Sequence, residues 1–157
     1  MSRCLAYLKF LLKSTNEHGV HSPFVYNYLT KCLYQRPNRS QDRLQDVLLK
    51  SVTYFECKNA QTDDLDLKIL LPDLQYDAEP IELIVLQHFK LNHLLRLMEQ
   101  GKTSNKALIV IPNLLNQQKE WKKAVAHSKI TVSIDCFQLG ILFIRKEQAK
   151  EHFIIRL

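Results

Sequence analysis

Glycine is scarce in this chain: three residues in 157, at positions 19, 101 and 140. Glycine lets a backbone approach a ligand closely or turn through positive φ without a Cβ penalty. With so few, a glycine-rich nucleotide or phosphate turn is excluded before any motif is sought. The four cysteines, Cys4, Cys32, Cys57 and Cys136, form no Cys-x-x-Cys pair. That spacing gives neither a zinc ribbon nor a disulfide frame and reads as reduced thiols in a cytoplasmic protein. No apolar run approaches the ~20 residues of a spanning helix. Arg3, Lys9 and Lys13 break any secretory core at the N-terminus. Cytoplasmic localisation with no membrane partner is therefore expected. Repeats and low-complexity tracts are also lacking, which excludes a solenoid.

What is present suits one globular domain spanning residues 1–157. The net charge of +6 would favour acidic partners. Lys and Arg are scattered among acids, however, and Asp63, Asp64 and Asp66 cluster mid-chain. Nucleic acid is not the expected partner.

Residues 2–17 place Leu5, Tyr7, Leu8, Phe10, Leu11 and Leu12 at three- and four-residue spacings, an amphipathic helix with a basic outer face and Gly19 as its left-handed cap. Ser22 as N-cap and Pro23 as first helical residue open a second helix. A turn at 35–39 and Ser40 as cap lead to a third helix through about Lys50. From there the period changes. Residues 52–57, 67–71 and 81–86 read as short strands between polar loops. Residues 89–100 read as a helix capped by Gly101, 107–111 as a buried strand and 117–126 as a helix. The alternating run 130–135 and the apolar run 140–145 form a terminal antiparallel pair, and 152–157 adds a strand or a packed tail. The predicted fold is α/β: a helical cap (1–51) followed by a small mixed sheet (52–157) ending in an antiparallel hairpin.

Isolated chemical signals have structural readings. His18 and His21 are three apart, but no third metal ligand lies near them, and a helix-to-helix corner explains both. His88 and His93 do not share a helical face. Cys136 lacks a paired base, Ser22 lacks the Gly-x-Ser-x-Gly elbow, and Trp121 with Val125 reads as helix packing. No catalytic, cofactor-binding or metal residue is assigned.

The corner His18-Gly19-Val20-His21-Ser22-Pro23-Phe24-Val25-Tyr26 resembles the N-terminal helical region of a class I, Rossmann-like methyltransferase family of the Bacteroidetes that uses S-adenosylmethionine. Thr131-Val132-Ser133-Ile134-Asp135, then Phe137, Gly140-Ile141, Phe143 and the stretch from Gln148 through His152-Phe153 to Arg156, is similar to the same family's C-terminal block. Together the two matches cover about the first 35 and the last 50 residues.

The centre departs from that pattern. Such enzymes need a glycine turn after the first strand, and here none of the three glycines follows a strand and opens a helix. Where acidic residues are expected after the strand at 107–111, the chain has Pro112-Asn113. The reading is a shortened, degenerate methyltransferase-like protein, a pseudoenzyme without predicted cofactor. If the family activity survives, the resemblance implies S-adenosylmethionine at an atypical site, with the cleft at His21 and Asn113. A third reading is a non-catalytic scaffold partner of a complete relative, forming a homo- or hetero-oligomer through an apolar sheet edge at Ile141 to Ile144.

Overall fold

The computed structural model describes residues 2–157. Helices α1 (Arg3–Lys13), α2 (Pro23–Tyr28, continued by one π turn over Leu29–Leu33) and α3 (Arg43–Tyr54) precede the sheet. Then come β1 (Asn59–Thr62), α4 (Leu65–Leu70), β2 (Gln75–Tyr76), β3 (Ile81–Val85), α5 (Leu91–Glu99) and β4 (Thr103–Ile111). The chain ends with α6 (Gln118–Ala126), β5 (Val132–Asp135), β6 (Gly140–Phe143) and β7 (Glu151–Ile154).

Seven strands form one mixed sheet in the order β2-β1-β3-β4-β6-β5-β7. Only β6 runs antiparallel to its neighbours, β4 and β5. The α/β class, the N-terminal helices and the C-terminal antiparallel strands are those read from the sequence. Helices cover both faces. Val25, Tyr28, Leu29 and Leu48 pack with Leu83, Leu108, Val110 and Phe143 on one, and Leu94, Leu97, Trp121 and Ala124 pack with Ile84, Ile109 and Leu142 on the other. Of the helical cap, α2 and α3 thus form one layer of the main core, while α1 buries no residue. A strand buried on both faces has no polar side to show, which is why 107–111 reads as a continuous apolar run.

Several sequence expectations are corrected. Residues 52–54 belong to the last turn of α3, not to a strand. Leu44, Val47, Leu48, Ser51, Val52 and Phe55 keep helical spacing, but Ser51 breaks the apolar stripe; buried, it is satisfied by the Tyr28 hydroxyl at 2.7 Å. The cap of α3 is Asp42, whose carboxylate accepts the Gln45 N–H at 2.9 Å, while Ser40 accepts from Asp42. Residues 65–70 form α4 instead of a strand. Leu65, Leu67, Ile69 and Leu71 alternate like a strand, yet Leu67, Leu71 and Leu74 face the core and Leu65 and Ile69 face solvent.

Gly101 closes α5 at φ 69°, donating to Met98 while Lys102 donates to Leu97. Gly19 does not adopt the left-handed cap. It ends a 3₁₀ turn over Glu17–Gly19, where a Cβ would collide with Thr15. At Gly140 an added Cβ would meet the Trp121 ring at 2.7 Å, so the close approach of α6 to β6 requires glycine there.

The apolar run at Ile141 to Ile144 is not an edge. β6 lies between β4 and β5, and Ile141 to Phe143 are fully buried. The edges are the two-residue β2 and β7. The latter is partly covered: Thr15 donates to Ile154 and accepts from Arg156, at 2.9 and 3.2 Å.

Candidate functional site

From β1 the chain passes through α4 to β2 on one side, then crosses to β3 on the other side of β1. The reversal point is the crevice between the carboxyl ends of β1 and β3, where open α/β sheets bind ligands. Thr62 and Val85 are paired there. Beyond them lie Asp63-Asp64 and Gln87.

These side chains bond to one another across the crevice. The Gln87 N–H donates to Asp63 Oδ1 at 2.9 Å, and its Nε2 donates to Asp64 Oδ2 at 2.6 Å. Asp64 also caps α4, its Oδ1 accepting the Asp66 N–H at 2.9 Å. The helix after β3 is closed in the same manner. Ahead of α5, the Phe89 N–H donates to Gln117 Oε1 at 2.7 Å, and the Leu91 N–H donates to Glu120 Oε2 at 3.0 Å. Lys123, 2.7 Å from Glu120, and the Leu91 N–H hold that carboxyl below its ordinary value. The Phe89 and Leu91 amides, at and just ahead of the start of α5 where an anionic group could dock, are thus bonded to side chains of the chain itself.

Asn113 follows β4 in left-handed backbone, φ 51°, and is exposed. It lines a cleft of about 140 Å³ with Asp42, Arg43, Gln87, Pro112 and Gln138. A neighbouring hollow of about 160 Å³ adds Arg3 and Asn116. Ligand pockets span roughly 300–1,000 Å³; each of these is smaller, and the second shares Arg3, Leu115 and Asn116 with a larger hollow of about 670 Å³. His21 is exposed just ahead of α2 and lines neither cleft.

The other candidates occupy structural positions. Ser22 is buried and accepts the Val25 N–H at 3.4 Å as the α2 cap. The Cys136 thiol is buried and pushed well up by desolvation, as are those of Cys32 and Cys57, both to about 11; none is a ready nucleophile. Trp121 is core. Ser133 lies 2.8 Å from His152 Nδ1 across paired strands, but Ser133 itself is buried. Among the described residues no three His, Cys, Asp or Glu side chains are grouped to hold a metal ion.

Gln87, Gln117 and Glu120 carry no motif and were invisible in the sequence. Asp63-Asp64 was visible as an acidic cluster, and Asp ahead of an apolar run is a cap signal that reading 65–70 as a helix would have exposed. No protein-family model matches the chain, and no curated protein or solved structure matches it at a significant level.

Proposed function

We propose that this chain is a methyltransferase-like protein that has lost S-adenosylmethionine binding and catalysis. The observation that carries the proposal is the self-bonded switch point, where Gln87 ties Asp63 and Asp64 together across the crevice. A cofactor entering there would have to break these bonds and displace the Gln117 and Glu120 caps, with no glycine to let backbone approach. The likeness of both termini to the methyltransferase family supplies the ancestry in this reading. Calorimetric titration of the chain with S-adenosylmethionine tests it: no binding heat is expected, and micromolar binding overturns it.

One observation favours a non-catalytic partner role as the second reading. Leu65 and Ile69 on α4 are 74% and 76% exposed beside the short edge strand β2. Apolar side chains flanking an incomplete sheet edge suit strand addition by another protein. Light scattering of the chain, alone and with a catalytically complete methyltransferase, checks this; a monomer in both samples counts against it.

A further inference from the structure

A larger hollow, about 670 Å³, lies between α1, the start of α6 and the ends of β5 and β7. This volume falls within the range of small-molecule sites. Its cations come from two elements, Arg3, Lys9 and Lys13 from α1 and Lys122 from α6. None of the four makes an ion pair among the described residues. Because α1 contains no acid, no neighbour within that helix compensates Arg3, Lys9 or Lys13.

The lining has one carboxylate, Asp135, already engaged with the Phe137 N–H at 2.8 Å. Burial raises its pKa, which weakens it as a counter-charge. The rest of the wall is largely apolar. Phe10 and Phe137 lie with ring centroids 5.3 Å apart, and Tyr7 packs on Phe137 at 5.0 Å. These contacts seat α1, which has no buried residue of its own. Like charges gathered around a concavity repel one another and concentrate anions from solution, while the aromatic floor offers area to a flat apolar body.

We propose that this hollow binds a small anionic molecule with a flat apolar body, the phosphate or carboxylate held by Arg3, Lys9, Lys13 and Lys122 and the body against Phe10 and Phe137. The site is separate from the β1–β3 switch point and does not depend on the methyltransferase reading.

The test is calorimetric titration of the full chain with 1-naphthyl phosphate, using inorganic phosphate and 1-naphthol as charge-only and body-only comparisons. Micromolar binding that weakens with salt is expected, with each comparison ligand at least about tenfold weaker. The double variant Lys9→Glu, Lys122→Glu should lose affinity by about tenfold or more. Lys106→Glu with Lys146→Glu, the same charge change near the amino end of β4, should leave it unchanged. All four lysines are exposed, so both variants should fold, as circular dichroism checks. Absence of naphthyl phosphate binding, equal binding of 1-naphthol, or equal losses in both double variants would overturn the proposal.

Discussion

The two halves of the sheet are built on different principles. β4, β6 and β5 are held by burial: Leu108 to Ile111, Val132, Ile134 and Ile141 to Phe143 are fully buried and enclosed by helices on both faces. β1 and β2 are short and polar. Only Ala60 of β1 is buried, and side chains such as Glu82, which accepts the Lys58 and Asn59 N–H groups at 2.6 and 3.2 Å, help hold the strand. The crevice at the sheet's switch point lies between β1 of this polar part and the buried strand β3. Here its polar groups bond to one another. Stability thus rests mainly in the apolar half, and the polar half is held by side-chain hydrogen bonds.

The sharpest way to break this contrast is Phe143→Ala. Phe143 is fully buried against Phe24, Tyr28 and Phe55, with ring centroids 4.9 to 5.6 Å away. Its truncation should cost about 4 kcal/mol in denaturant unfolding. A loss below about 1 kcal/mol would refute the assignment of stability to this half.

Next in size is the pair Asp46–Lys50, 2.8 Å apart under the same face. Lys50→Ala strands a largely buried carboxylate and should cost about 3 kcal/mol. Burial alone would raise the Asp46 pKa, but the Lys50 ammonium and the Arg39 N–H outweigh it and hold the group below its ordinary value. A depressed folded pKa means the contribution is complete above the unfolded value of about 3.9. It is lost as pH falls from there through the folded pKa. Stability measured against pH should therefore fall in that acid range, and less steeply in Asp46→Asn.

The smallest effect is expected at the crevice. Gln87→Ala removes one side-chain hydrogen bond at a half-buried site, a loss of about 1 kcal/mol or less in the same unfolding assay. A cost equal to that of Phe143→Ala would erase the distinction between the halves.

The same contrast explains what the sequence disclosed. Burial writes itself as apolar pattern, so 81–86, 89–100, 107–111 and 130–135 correspond to β3, α5, β4 and β5 within a few residues. The polar half leaves no such record. Asn59-Ala60-Gln61-Thr62 is a strand because its neighbours pair with it, and β2 has only two residues. Tertiary context also overrode local signals: the alternating leucines of α4 resemble a strand, and Ser51 interrupts the stripe of α3. At the candidate cleft, the left-handed turn at Asn113 could not be read from the residue type alone. His21 belongs to the corner motif and lines neither cleft beside Asn113.

Amide hydrogen exchange with and without S-adenosylmethionine tests both parts of this account together. Amides of β4, β5 and β6 should exchange last, and those of β1, β2 and α4 should open about tenfold or more faster. Saturating cofactor should leave every rate unchanged. Slowed exchange at Asn59–Thr62 and Leu65–Leu70 on adding cofactor would mean that the crevice binds it, contradicting the claim that this half has lost its ligand.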